Sequence, residues 1–219
     1  MMPDKKLPAH RPRSRSRLVC LFGGTFDPVH NAHLRMAREA RDRFRLDQVL
    51  FVPAGHPPHK PDSRVAAYAD RLAMVKLACR GRKGFVASEL ENHAGKSFTI
   101  DTVERLRAQL NPRDRLFFLI GADAFDDLRS WHRWRDMLAL TEFLVVTRPG
   151  HRYRVPKGAR VRALDGIAML ASSSGIRNHL AAGEPAPEIP KAVRAYIEEH
   201  SLYGAVKSRY GRDGAASLS

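Results

Sequence analysis

Four short apolar runs punctuate the chain, at residues 18–22, 49–52, 116–120 and 143–147. Runs of this length without polar alternation are the signature of strands buried on both faces. Between them apolar positions fall three and four apart, the spacing of helices that bury one stripe. That spacing predicts helices over 32–44, 64–79, 99–110, 174–182 and 191–200, with further short strands at 85–87 and 161–164. Strand and helix alternate along the chain, which predicts an α/β fold with a parallel sheet flanked by helices. The segment PAGHPPHKPD (53–62) carries four prolines directly after an apolar run, so it reads as a stiff loop at the carboxyl end of a strand. Loops at that end line the ligand crevice of an open α/β sheet.

With 219 residues, 43% of them hydrophobic, the chain can bury a proper core as one soluble, enzyme-sized domain. No apolar run approaches the ~18 residues of a membrane span, and LVCLF is too short for the core of a signal peptide, so a cytoplasmic protein is expected. Cys20 and Cys79 lie inside apolar patterns and read as small buried hydrophobes.

The formal charge of +15 raises the question of a nucleic-acid partner. Residues 1–17 hold six Lys or Arg against Asp4, and residues 205–219 hold three against Asp213, which leaves +8 for 18–204. The basic N-terminal segment lacks apolar periodicity and is expected to be a disordered tail, with a flexible C-terminal tail after residue 204. A charge of +8 on the domain between them suits a small anionic substrate as well as a polynucleotide.

Candidate chemistry begins at FGGTFDPVHNAHL (22–34), where two glycines follow a strand and His30 and His33 open a helix one turn apart. Gly23 and Gly24 are expected to turn the chain and admit a ligand to the backbone, while the helix start offers unpaired N–H groups. Such a place binds phosphate, yet it is neither of the common loops. GxGxxG lacks its third glycine, and Gly95-Lys96-Ser97 lacks the glycine a Walker motif needs at position 90, which is Leu. Protonated imidazoles at a helix start are disfavoured by ~0.3–1 kcal/mol unless an anion lies beside them, so the pair makes most sense with a polyphosphate present. Zinc on His30, His33, His56 and His59 is a weaker reading, because helical zinc motifs use i, i+4 spacing with a nearby Glu. No metal site is therefore expected.

A second anchor, ASSSGIRNHL (171–180), places Ser172, Ser173 and Ser174 as cap residues with Arg177 close behind. Two helix starts carrying cations suggest one shared anion, gripped from both ends.

These residues resemble a known family. GGTFDPVHNAH is similar to the GxFDPxHxGH signature of the (H/T)xGH nucleotidyltransferases, and SSSGIR to their ISxTxIR segment. PPHK (57–60), SFTIDT (97–102), GADAF (121–125) followed by Trp131 and TRPG (147–150) resemble the branch of bacterial nicotinate-nucleotide adenylyltransferases, and AYIEEHSLYG (195–204) resembles its C-terminal helix and closing strand. The likeness runs from residue 18 to residue 204. It implies a Rossmann-like open, mostly parallel sheet with helices on both faces, of nucleotidyltransferase type. The reaction it implies joins ATP to nicotinate mononucleotide, with Mg²⁺ assisting, and gives deamido-NAD and pyrophosphate.

By position the resemblance makes His30, His33 and Arg177 catalytic, with the serine segment and Ile176 beside Arg177 on the ATP phosphates. It puts Gly23, Gly24, Thr25 and Phe26 along the nucleotide crevice, and Gly121 and Asp123 on the ribose. Trp131 matches the plate that stacks on the pyridine ring, with Trp134 as its rival, and Thr99 and the backbone near His132 match the carboxylate pocket. Lys60 and Arg148 sit where the mononucleotide phosphate could be met. One position departs from the signature: Ala32 stands where HxGH has glycine, adding a small methyl group at a good helix former. The competing readings are an adenylyltransferase for nicotinamide mononucleotide or phosphopantetheine, and a nucleic-acid binding module. No basic stripe with interleaved aromatics supports the latter.

Overall fold

The computed structural model describes residues 15–55, 65–93, 95, 98–147, 150, 152–166 and 171–205. Six parallel strands form one sheet: β1 (Leu18–Gly24), β2 (Gln48–Pro53), β3 (Phe85–Ala87), β4 (Arg115–Gly121), β5 (Glu142–Val146) and β6 (Val161–Leu164). Their spatial order is β3-β2-β1-β4-β5-β6. This is the doubly wound, Rossmann-like arrangement, in which the strand order switches from one side of β1 to the other at β4 and opens a crevice at the carboxyl ends of these two strands.

Alternate residues of each strand serve opposite cores, which is why the strands read as unbroken apolar runs. Cys20, Phe22, Phe117, Leu119, Leu144 and Val146 face one cluster. Leu21, Phe118, Ile120, Phe143 and Val145 face the other. The first cluster is covered by α1 (Asn31–Phe44), α2 (Tyr68–Cys79), α6 (Ser173–Ala181) and α7 (Lys191–Glu199). The second is covered by α3 (Thr99–Gln109), α4 (Ala122–Asp126) and α5 (Trp134–Leu140). Among the described residues no helix is long and apolar enough to cross a membrane.

Every strand and helix expected from the apolar pattern exists, with ends moved by a few residues. The start of α2 moves most, from the expected 64 to Tyr68. Ala66 gives its N–H to Asp27 and its carbonyl to Arg71, so this backbone is engaged in tertiary bonds instead of a helical turn. Gly23 and Gly24 do not turn the chain as expected; they stay in β1, paired with Val52 and Pro53. The turn falls two residues later, at Phe26 (φ 49°) and the cis bond between Asp27 and Pro28. The closing strand implied by the C-terminal likeness is instead a 3-10 turn over Leu202–Gly204, because Ser201 (φ 51°) and Tyr203 (φ 59°) take left-handed backbone that no strand allows. Helices α4 and α5 were not foreseen.

Arg17, assigned to the tail by its sequence, belongs to the folded domain. Its backbone N–H and guanidinium donate to Asp114 (2.7–2.9 Å), which also accepts from the Asn111 N–H (3.1 Å). Ala205, the first residue of the expected C-terminal tail, is buried as well. Asp114→Ala would strand these donors in a largely dry place, and we expect a loss of about 1–3 kcal/mol in urea unfolding with the native spectrum retained.

Candidate functional site

After β1 the chain runs through Thr25 and Phe26 to His30, which stands as the N-cap of α1. Phe26 is buried against Phe22, Phe51 and His33, so it shapes the loop from beneath instead of lining a crevice. Gly24 is required by this packing: a Cβ there would lie 3.1 Å from the Phe26 ring. The His30 and His33 rings stack with centroids 3.8 Å apart. The His30 N–H donates to Nδ1 of His33 (3.3 Å), which leaves Nε2 of His33 to carry the proton of the neutral ring.

Both imidazoles are poor bases here. Burial lowers His30, only 2% exposed, from its ordinary 6.5 to about 4, against an opposing pull from the Glu188 carboxylate. Burial, then the neighbouring His30, holds His33 well below the ordinary histidine range. The free site therefore presents a neutral, stacked pair at the positive end of a helix, the electrostatic situation its sequence implied.

The second motif docks directly on the first. Ser172 caps α6 by accepting the Gly175 N–H (3.1 Å), and the Ser173 hydroxyl donates to the Pro28 carbonyl (3.1 Å). Arg177 donates to the Asp27 carbonyl (2.7 Å), lies 3.3 Å from Asp27 Oδ2, and reaches the Ser174 hydroxyl at 3.3 Å. The two helix starts are thus neighbours, and in the free protein Arg177 is engaged by Asp27. Ile176 is buried in the core and anchors α6 instead of facing a ligand.

Asp27 is fully buried and was not singled out by sequence. Its Oδ1 accepts from the Tyr203 hydroxyl (2.6 Å) and the Ala66 N–H (3.1 Å). Arg71, 2% exposed, was missed too; it donates to the carbonyls of Thr25 (2.9 Å), Ala54 (2.7 Å), Gly55 (3.2 Å) and Ala66 (2.9 Å). Neither role has a local signal, because apart from Ala66, five residues before Arg71, the partners are distant in sequence.

Beside this junction lies a cleft of about 610 Å³ between the ends of β1 and β4. Gly23, Gly24, Thr25 and Gly121 line it as expected, and so do Thr99, Trp131 and His132. Trp131 meets Phe118 edge-on at 6.0 Å, and the His132 ring tilts over Phe98 at 4.3 Å. Trp134 does not line the cleft and carries Arg135 over its ring at 4.5 Å, which decides between the two tryptophans. Asp123 is exposed at the start of α4 and is not part of the cleft wall. The histidines, the serines and Arg177 do not line this cleft; the link between them is the β1 end itself, where the wall residue Phe22 meets the His33 ring edge-on at 6.0 Å and the loop after the wall residue Thr25 carries the Asp27 and Pro28 carbonyls to Arg177 and Ser173. Glu91, another wall residue the sequence did not reveal, accepts from the Gly55 N–H (3.0 Å) and the Thr102 hydroxyl (2.8 Å). Lys60, Arg148, His56 and His59 lie outside the described residues. Among the described residues no three His, Cys, Asp or Glu side chains gather around a possible metal position.

A group whose folded pKa is depressed adds stability that is complete above its unfolded value and is lost as pH falls through the folded value. For His30 the window runs from 6.5 down to about 4. Thermal melts should therefore fall more steeply across that range for the native protein than for His30→Gln, a comparison that cancels the carboxylates common to both.

Comparison with known proteins fits this geometry. Residues 21–179 match the cytidylyltransferase-like family. A protein of Solibacter usitatus named probable nicotinate-nucleotide adenylyltransferase is 51% identical over 185 residues, covering 84% of this chain and 98% of its own. A Geobacter protein of the same name is 40% identical, covering 84% and 96%. In three dimensions the chain resembles the Plasmodium falciparum nicotinic acid mononucleotide adenylyltransferase complexed with NaAD, with a TM-score of 0.72 at 18% identity over 88% of this chain and all of that one, a likeness of fold. A sheet whose strand order switches sides at the cleft, two helix starts locked over Asp27, and relatives this close over nearly their whole length place the chain in the cytidylyltransferase-like family, among the nicotinate-nucleotide adenylyltransferases.

Proposed function

We propose that the chain transfers the adenylyl group of ATP to nicotinate mononucleotide, giving deamido-NAD and pyrophosphate for NAD biosynthesis in the cytoplasm. The observation that carries this reading is the docking of α6 on the loop before α1, which ties Arg177 to the short segment joining the cleft residues Gly23, Gly24 and Thr25 to the two histidines. An oxygen of the mononucleotide phosphate attacks the α-phosphorus of ATP in line, and the bond to the bridging oxygen of the β-phosphate breaks. Such a reaction asks for positioning and for donors that follow the growing negative charge.

In this reading the stacked histidines meet the ATP phosphates, and Arg177 with Ser172, Ser173 and Ser174 holds the β and γ groups. Gly121 and Asp123 serve the ribose, and Lys60 and Arg148 the acceptor phosphate. Trp131, which lines the cleft and is held by a near-perpendicular contact with Phe118, is the plate for the pyridine ring. Thr99 and the backbone at His132 supply donors for the ring carboxylate. Mg²⁺ would travel with the ATP phosphates, as this ion commonly does, and neutralise charge on the leaving pyrophosphate. Ala32 keeps α1 regular where the signature has glycine.

A pyrophosphate-release assay with ATP and Mg²⁺ against nicotinate mononucleotide, nicotinamide mononucleotide and phosphopantetheine tests the assignment. The nicotinate nucleotide should be the preferred acceptor; equal or better turnover of another acceptor refutes it. His33→Ala should lower kcat by about 10²–10³ with the melting curve retained, the usual cost of losing one preorganised donor. Trp131→Ala should act mainly on the KM of the mononucleotide, leaving that of ATP nearly unchanged.

A further inference from the structure

Two buried polar atoms at the start of α1 lack any hydrogen-bond partner: Nδ1 of His30 and Oε2 of Glu188. Buried polar groups are nearly always satisfied, so two complementary orphans on segments bonded to each other call for an explanation. Glu188 belongs to the segment between α6 and α7, which is stitched to α1 at its first residue. The Asn31 N–H donates to the Glu188 carbonyl (2.7 Å), and the Asn31 side chain donates to the Pro187 carbonyl (3.3 Å). Ala186 and Ile189, both buried, seat the segment on either side. The carboxylate is close enough for its charge to act on the His30 ring.

We propose that Glu188 is a positioning residue for His30: when a polyphosphate occupies the site, the Glu188 carboxylate accepts from a newly protonated Nδ1 of His30 and makes His30, not His33, the cationic partner of the phosphates. The proposal rests on the reading that His30 meets the ATP phosphates. The charged and titratable groups around the imidazole leave Glu188 this role. His33, stacked on the same helix, competes for the one proton the pair can hold, and its Nδ1 is already engaged by the His30 N–H. From α6, Arg177 is paired with Asp27. Glu188, from the segment before α7, is the anion left facing His30. The proton comes from solvent as the anion enters, and no covalent bond is made or broken. A carboxylate on one nitrogen then fixes the ring so that the other nitrogen points its N–H at the phosphates.

The test follows the His30 ring nitrogens by long-range ¹H–¹⁵N spectra in the complex with a non-hydrolysable ATP analogue, alongside the pH profile of kcat/KM. In the native complex His30 should be doubly protonated near neutral pH, with His33 singly protonated at Nε2. In Glu188→Gln the His30 pKa in the complex should fall by about one unit or more, equivalent to at least a tenfold change in its protonation constant. The alkaline limb of the profile should move down by the same amount, so that lowering the pH restores activity. Glu188→Asp keeps the charge and should recover most of the shift, and it carries the test if the glutamine variant fails to fold. An unchanged His30 titration in Glu188→Gln overturns the proposal while leaving the adenylyl-transfer reading intact. If His30→Ala binds the ATP analogue as tightly as the native protein does, the role of His30 falls, and Glu188 falls with it.

Discussion

A single buried carboxylate ties this site together. Asp27 lies in the loop between β1 and α1, yet its carboxylate accepts from Ala66 at the entry to α2 and from Tyr203 in the C-terminal turn, while Arg177 from α6 donates to its backbone carbonyl and lies 3.3 Å from Oδ2. Taking a carboxylate out of water costs several kcal/mol unless donors surround it, so these contacts must form together or not at all. The sheet alone would leave α6 free to sit elsewhere; Asp27 decides that its arginine ends beside the histidines. Arg71 does the converse for backbone. Its guanidinium fills the gap behind the ends of β1 and β2 and satisfies carbonyls of Thr25, Ala54 and Gly55 that no ladder reaches.

The electrostatics of the free site follow from that arrangement. The protein is strongly basic, yet among the described residues the charge of the two motifs is already engaged or suppressed where the ATP phosphates are proposed to bind. Arg177 is held by Asp27, and the histidines are kept neutral by burial. An incoming polyphosphate would supply what is missing: it would give the imidazoles a reason to take up a proton and Arg177 a second anion within reach. Because Arg177 already lies fixed on Asp27 and Ser174, its planar donor fork loses little further freedom when it binds. The arrangement is pre-ordered in geometry but completed in charge only by ligand.

The sheet was legible in the sequence because both of its faces are buried, which turns each strand into a continuous apolar run. Helices α1, α3, α6 and α7 were legible because each buries one stripe. Helix α5 was not, for a tertiary reason: its N-cap, Arg133, takes left-handed backbone (φ 50°) and is tied to Glu104 (2.6 Å) and Asp136 (2.7 Å), the first of them 29 residues away in sequence. The two site motifs were legible as chemistry, and the cleft around Gly23, Gly121, Thr99 and Trp131 matches the resemblance. What the sequence could not display was the set of ties between them. Asp27 stood inside the quoted motif without any sign that it would be the anchor, and the bonds of Arg71 to Thr25, of Glu91 to Gly55 and of Tyr203 to Asp27 each join residues dozens of positions apart.

The two sides of the cleft are built differently, and this bears on how such a fold changes substrate. The phosphate flank is made of buried ties among Asp27, Arg71, Arg177 and Tyr203, where one substitution strands several partners. The acceptor flank is made of ring contacts on short elements: Trp131 after a 3-10 turn, His132 over Phe98, and Phe98 capping α3. Its firmest part is Glu91, which links Gly55 to Thr102, and a side chain at position 55 would meet the Glu91 carbonyl at 2.5 Å. Exchanging a ring on this side alters the shape of the acceptor pocket without touching the buried carboxylate. The two sides meet at Gly55, whose carbonyl accepts from Arg71 and whose N–H donates to Glu91, so in the proposed reading the ring contacts can vary while the backbone that joins both sides stays fixed.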